Sequence, residues 1–298
     1  MTTSPPKVVT MGDLVTDVTV IMNQGPVKGS DSRASISISS GGSGANTAAW
    51  LARLGIETHF VGRVGDDVWG RHQVHELRRA GVITHVAVDR SLSTGTIVLL
   101  IDAMGERDML TDRGANLALR TDDLSESLFE DAAHLHLSGY TFFEPGPRAA
   151  AEAALKLAQT AGLTTSIDPA SASGLTEVGP ASWRDWTRGV DLCFPNATEA
   201  HLLSGEASPE ASARRLAGVY REVVVKLGPA GALWCNGRGD TLALPAADAE
   251  VVDTTGAGDA FSAGYLAHWL RGASPHASLH AAVALGAEAV DQVGARPR

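Results

Sequence analysis

Residues 251–261 read "VVDTTGAGDAF". Two valines and an acid suggest the end of a strand, "TTGAG" a tight turn almost free of side chains, and segment 257–270 a helix closing at Gly272. Such a turn leaves backbone N–H groups at a helix N-terminus. They attract an anion, and the missing side chains let it approach closely. Glycines placed for packing alone would give the same pattern. A dinucleotide site needs a third small residue at the sixth motif position and an acid about 20 residues on. Here the sixth position is Phe261, and only helical sequence follows. A Walker A loop needs Gly-x4-Gly-Lys-Ser/Thr, which is absent from a chain with only four lysines. What remains is an anion cradle with an aspartate one residue beyond it. Asp259 is then placed to accept a hydroxyl proton while Gly256, Ala257 and Gly258 stabilise charge on a phosphoryl group. The helix N-terminus is expected to keep Asp259 ionised.

Outward from that stretch, runs rich in Leu, Val and Ile alternate with alanine-rich helical segments. "AHLHLSG" (133–139) and "LTTSIDP" (163–169) flank a helix expected over 148–161, after Pro145 and Pro147 and before Gly162. "VDLCFPN" (190–196) reads as a strand and 196–203 as a short helix. "SPEASARRLAG" (208–218) reads as a helix capped by Ser208, with Pro209 first and Gly218 at its end. "EVVVKLG" (222–228) is a β-branched run suited to a strand buried on both faces. Strands alternating with helices predict a doubly wound, mainly parallel α/β sheet. "ASISISS" (34–40) and "TGTIVLLID" (94–102) with "MGERDML" (104–110) break this rhythm. They read as antiparallel strands, the last two joined at "AMGER" (103–107), forming a small β flap. One domain over 1–298 is expected, its flap drawn from about residues 14–40 and 94–114.

Composition narrows the partners. Of 298 residues 44% are hydrophobic, enough for a substantial core. The 34 acids outnumber 24 scattered bases, which argues against nucleic acid as a partner. No signal peptide and no apolar run of roughly 20 residues is evident, so a soluble, cytoplasmic protein away from membranes is expected. Cys193 and Cys235 lie in apolar runs and read as reduced, buried thiols. His134 with His136, and His72 with His75, share faces but lack further ligands, so structural roles are expected.

With these elements assembled, the sequence resembles the ribokinase-like (PfkB) family of carbohydrate and nucleoside kinases. "DTTGAGDAF" (253–261) fits the family's C-terminal signature at every fixed place, and "GGSGANTAAWLARLG" (41–55) fits the N-terminal one. "VGRVGDDVWG" (61–70), "PNATEAHLLSG" (195–205) and "VVVKLGPAGAL" (223–233) follow in family order. The resemblance covers essentially the whole chain and implies a ribokinase-like fold with a β lid. It implies an ATP- and Mg²⁺-dependent kinase acting on the hydroxymethyl group of a small sugar. A nucleoside kinase is the alternative, and a non-catalytic sugar sensor is a third reading.

The resemblance also assigns roles. Asp259 is the base, and the backbone of Gly256, Ala257 and Gly258 is the anion hole. Asn196 and Glu199 hold phosphates and, through water, Mg²⁺, although the same pair spells a capping box. Lys226 and Gly228 line the nucleotide. Asp253 and Thr255 belong to a loop that binds a monovalent cation such as K⁺ in many relatives. In "MGDLVTDV" (11–18), Asp17 binds sugar hydroxyls with Gly42 and Asn46, and Asp13 stands beside it at the end of the first strand. Arg113 in "TDRGAN" (111–116) could meet an acidic substrate group or be a solvated flap residue. The chain departs from ribokinase at Ser43, where ribokinase has Lys, and at Gly139 and Tyr140, where it has a sugar-binding Glu, which steers the expectation away from ribose. Exposed flap strands suggest a homodimer through the lid.

Overall fold

The computed structural model describes residues 5–22, 24–25, 27–104 and 107–298. Its strands are β1 (Lys7–Met11), β2 (Val15–Ile21), β3 (Ser35–Gly41), β4 (Glu57–Gly65), β5 (Ile83–Asp89), β6 (Gly95–Ile101) and β7 (Arg107–Asp112). They continue with β8 (His134–Ser138), β9 (Thr164–Asp168), β10 (Leu192–Cys193), β11 (Glu222–Lys226), β12 (Ala232–Asn236) and β13 (Thr241–Leu244). The helices are α1 (Ser43–Arg53), α2 (Val68–Arg79), α3 (Tyr140–Phe143), α4 (Pro145–Thr160) and α5 (Ala172–Val178). After them come α6 (Pro180–Trp186), α7 (Ala197–Ser204), α8 (Pro209–Leu216), α9 (Ala257–Trp269) and α10 (Pro275–Val290).

Nine strands form one sheet in the order β13-β12-β11-β10-β9-β8-β1-β4-β5. From β5 to β11 all neighbours are parallel, and β12 and β13 close one edge as an antiparallel hairpin. Buried side chains cover both faces, as the β-branched run of β11 requires. On one face, Trp50 and Leu51 of α1 meet Phe261, Tyr265 and Leu266 of α9 and Leu279 and Leu285 of α10. Leu77 of α2 packs with the alanines of α1 and Phe60 of β4. On the other face, α4 to α8 bury Leu155, Leu175, Trp183, Leu203 and Leu216 against Leu135 and Leu137. This is a doubly wound α/β fold. The chain reverses its progress across the sheet between β1 and β8, and the carboxyl ends of strands at such a reversal form a crevice where ligands bind.

Alternation along β8 sends its histidines the other way, toward α9. His134 lies between Thr164 Oγ1 (2.8 Å) and Ser166 Oγ (2.7 Å), and His136 bonds the same serine at 2.8 Å. Burial pushes the two rings down to about 3 and about 4, so both are neutral core groups. Cys193 and Cys235 are free and buried. Among the described residues no helix is long and apolar enough to cross a membrane.

A second sheet, in the order β3-β2-β6-β7, stands off the first as a lid. Its pairing is mixed, because β2 runs antiparallel to β3 but parallel to β6. β6 and β7 are antiparallel, and Gly105 and Glu106 of the turn expected between them lie outside the described residues.

Three further expectations need correction. Asp17 lies within lid strand β2, two residues past its start, and does not close the first strand. Helix α4 opens at Pro145 and takes both prolines into its first turn, where a missing N–H costs nothing. Residues 251–253 form no strand. Val251 and Val252 are exposed, and the backbone N–H groups of Val252 and Asp253 donate to the last carbonyl of α10, that of Val290.

Candidate active site

The carboxyl edge of the main sheet carries an acid, amide or base at the end of nearly every central strand. Asp13 follows β1, Asp168 ends β9, Asn196 follows β10 and Lys226 ends β11. Across them, the N-terminus of α9 meets that of α1. Glycines precede both helices and admit close backbone neighbours. Gly256 adopts φ +75°, and a Cβ there would lie 2.6 Å from Ala295 Cα. Gly42, which precedes α1, has φ +99°, and its Cβ would come within 2.2 Å of the Asp13 carbonyl oxygen.

Asp259 sits in the first turn of α9 and is held from α1. Ser43 Oγ donates to its Oδ1 at 2.8 Å and Asn46 Nδ2 to its Oδ2 at 2.9 Å. Ser43, the departure from ribokinase, is therefore a direct partner of this acid. Loss of water raises Asp259 to about 7 and outweighs the bonds from Asn46 and Ser43, which favour the charge. The helix terminus does not keep it fully ionised, contrary to the sequence expectation. The nearby Asp168 adds to the rise and Lys226 opposes it.

Lys226 reaches the other side of the turn. A Cβ on Gly258 would lie 3.3 Å from Lys226 Nζ, and the ammonium pairs with Asp168 Oδ2 at 2.5 Å. Ser262 Oγ donates to the same oxygen at 3.1 Å. Burial works against the charge on Lys226, but Asp168 and Glu199 more than offset it and hold the ammonium protonated. Asn196 and Glu199 form the capping box: Glu199 N donates to Asn196 Oδ1 (2.9 Å) and Asn196 N to Glu199 Oε2 (2.8 Å). Burial raises Glu199 to about 7, although Lys226 pulls it down. Lys226 and Gly228 border a cavity of about 530 Å³, with Gly258, Phe261, Val251, Val283 and Val290 in its walls.

On the lid side, Arg113 is committed to Asp13 by two bonds, Nε to Oδ2 (2.7 Å) and Nη2 to Oδ1 (2.8 Å), and also donates to the Tyr140 carbonyl. A bidentate pair of this kind leaves little charge for an acidic substrate group. Asp17 is buried and raised to about 6, chiefly by loss of water, with Arg296 opposing the shift. Glu144, the exposed residue before α4, adds to the charge that keeps Arg113 protonated. Asp253 accepts from Thr255 N (3.0 Å) and Thr255 Oγ1 (2.7 Å) on one oxygen and from Gly294 N (3.0 Å) on the other.

Asp168 and Arg296 were absent from the sequence reading. The first had a signal, an acid closing the strand of "SIDP" (166–169), the same position that drew attention to Asp13. Arg296 had none, because its bonds to Asn46 Oδ1 (3.2 Å) and the Gly41 carbonyl (2.8 Å) span about 250 residues of chain.

The family model for pfkB family carbohydrate kinases matches residues 6–298. The chain belongs to the pfkB family. It is a phosphotransferase of the carbohydrate-kinase type with an alcohol acceptor. Its sequence is 35% identical over 295 residues to an ATP-dependent ribose-1-phosphate kinase of Halopiger xanaduensis, covering 97% of this chain and 94% of that protein. Among solved structures, the adenosine kinase of Sinorhizobium meliloti superposes with a TM-score of 0.89 at 25% identity, covering 98% of this chain and 96% of that one. Arabidopsis thaliana ribokinase, solved with ribose and ATP, gives 0.83 at 27% identity, with 98% and 95% covered. Sugar and nucleoside kinases of this family thus share the one scaffold.

Gly256→Ala tests the turn. Left-handed backbone and the collision with Ala295 together are expected to cost about 2–4 kcal/mol. The denaturant midpoint should fall accordingly, and an unchanged midpoint would show that the turn relaxes without loss.

Proposed function

We propose that this pfkB kinase transfers the γ-phosphoryl group of ATP to a hydroxymethyl group of a small neutral sugar. The observation that carries the reading is the placement of Asp259 between two chemistries. One oxygen-rich side holds Asp17, Asn46 and the Asp13–Arg113 pair, and the other holds the glycine turn with Lys226 beside it. The sugar lies on the first side under the lid, and the phosphates lie along the second. Asp259 in its ionised form accepts the hydroxyl proton, while the N–H groups of Gly256 and Gly258, that of Ala257 on giving up its 3.3 Å bond to the Thr254 carbonyl, and the ammonium of Lys226 take up charge on the phosphoryl oxygens. The adenine end occupies the cavity beyond Gly228, whose walls are largely apolar. Neutral acceptors suit the sugar side because Arg113 is paired with Asp13, the charge of Arg296 is set against that of Asp17, and the other groups are hydrogen-bonding amides.

Mg²⁺ fits this arrangement without a protein cage. Among the described residues no group of three or more ligating side chains converges, and Mg²⁺ on a nucleotide is commonly held by phosphates and water with one or two carboxylates nearby. Glu199 and Asp168 are the carboxylates available, and the ion would neutralise phosphate charge there. Asp253 and Thr255 keep the role of a monovalent-cation loop in this reading: three protein donors engage the Asp253 carboxylate, which leaves acceptor capacity for a cation such as K⁺, and the same bonds hold the C-terminal segment. The alternative, a nucleoside acceptor, is favoured by the likeness to an adenosine kinase. Against it, the lid offers aliphatic side chains and no aromatic platform for a base. We place the reaction in the cytoplasm, where ATP is abundant.

Coupled ADP release with ATP and Mg²⁺ across pentoses, hexoses, keto-deoxy sugar acids and nucleosides checks the assignment. Turnover on neutral sugars is expected, and turnover confined to nucleosides or to sugar acids would overturn it.

The lid also supports a homodimer. Register places Val18, Val20, Ile36, Ile38, Val98, Leu100 and Leu110 on one face, opposite to that of Asp17. Ile36 is 64% exposed, Ile38 50% and Leu110 59%, so an apolar face of the lid meets water in the single chain. A second lid would cover it. Analytical ultracentrifugation should find twice the 30.9 kDa chain mass, and Ile38→Asp should return the monomer; a monomeric parent would sink the proposal.

A further inference from the structure

The segment Gly294 to Arg296 is threaded between the glycine turn and α1. Gly294 N is tied to Asp253, and the Ala295 carbonyl accepts from Trp50 Nε1 at 3.0 Å. These anchors deliver the Arg296 guanidinium to the start of α1. Its Nε donates to Asn46 Oδ1 and its Nη2 to the Gly41 carbonyl, but its Nη1 is buried with no hydrogen-bond partner. The Asp17 carboxylate folds over Gly41 as well: a Cβ there would lie 2.2 Å from Asp17 Oδ2. Asp17 is 6% exposed, and its Oδ1 is likewise buried without a partner. Arg296 and Asp17 attract each other electrostatically, yet no hydrogen bond or ion pair joins them.

A buried donor and a buried acceptor left unpaired beside one residue are an anomaly, because such groups are almost always satisfied. A third group that accepts from one and donates to the other resolves both. A hydroxyl does so with a single oxygen. A carboxylate would be repelled by Asp17 and an ammonium by Arg296, so the gap selects a neutral polar group.

We propose that Arg296 is a substrate-binding residue, whose Nη1 acts with Asp17 Oδ1 to hold one hydroxyl, or two neighbouring ones, of the sugar. This rests on the sugar-kinase reading and deepens it. The same guanidinium fixes Asn46: with Oδ1 taken by Arg296 Nε, the amide must turn Nδ2 toward Asp259. One side chain from the end of the chain thus seats the acceptor and orients the group that holds the base.

The test compares the parent with Arg296→Gln on the best sugar and on its singly deoxygenated analogues. In the parent, one deoxy analogue is expected to lose about 10–100-fold in kcat/KM, the cost of stranding a charged hydrogen-bonding group. Arg296→Gln should raise KM for the sugar by a similar factor with KM for ATP within about twofold, and should suffer little further loss on that same analogue. A purely structural role would not remove that one penalty. Should Arg296→Gln fail to fold, Arg296→Lys keeps the charge but not the forked reach, and the same loss of discrimination is expected of it. A folded variant with the parent's KM for sugar and the parent's full set of deoxy penalties overturns the proposal. Failure of the underlying reading shows separately, as a parent that turns over no sugar, and takes the proposal with it.

Discussion

The carboxylate of Asp259 is taken out of water at the junction of two helix N-termini, and most of the site is arranged around that placement. Burying an acid is unfavourable unless donors replace its hydration, and here one comes from Ser43 and one from Asn46. The replacement is incomplete, so the carboxylic acid form remains accessible near neutrality. A group in that condition is suited to proton transfer at ordinary pH, because it is ionised often enough to accept a proton and basic enough to draw one. Full ionisation by the helix terminus would give a weaker base.

The fold supplies this geometry by topology more than by any single element. The reversal of strand order between β1 and β8 brings the ends of β1, β8, β9, β10 and β11 to one edge, and α9 returns from the end of the chain to lie over them. The absence of side chains lets Gly42, ahead of α1, lie against the Asp13 carbonyl and lets Gly256, ahead of α9, lie against Ala295. Through Gly294, Ala295 and Arg296 the last residues of the chain therefore close the site. Asp253 serves this closure by capping the turn and gripping Gly294 at once.

Local signals were legible in the sequence wherever the physics is local. Ser208 before Pro209 caps α8 as its spacing implies, the β11 run is buried on both faces, and "TTGAGDAF" makes the turn and helix expected of it. Asn196 and Glu199 show how two readings can share residues, since the capping box forms and the same carboxylate still faces Lys226. Long-range partners were illegible. Lys226 finds Asp168 58 residues away and Asn46 finds Asp259 at 213, and no periodicity encodes such distances. Val251 and Val252 mislead because β-branched pairs usually mark a strand, whereas here the last carbonyl of α10 takes the N–H groups of Val252 and Asp253, and both valine side chains stay exposed. The pKa of Asp259 was misjudged because the helix dipole can be read from sequence and desolvation cannot.

The pH dependence of kcat/KM for the acceptor, measured from about pH 5 to about pH 9 in the parent and in Asp259→Asn, bears most directly on the role of Asp259. If Asp259 is the proposed base, its ionised form is the active one and the group sits near 7, so the parent's kcat/KM should fall about tenfold per pH unit below about 7 and level off above it. Asp259→Asn should lose about 10²–10⁴-fold and the acid limb with it. A parent profile flat through neutrality, or an asparagine variant that keeps both the rate and the acid limb, would contradict the account.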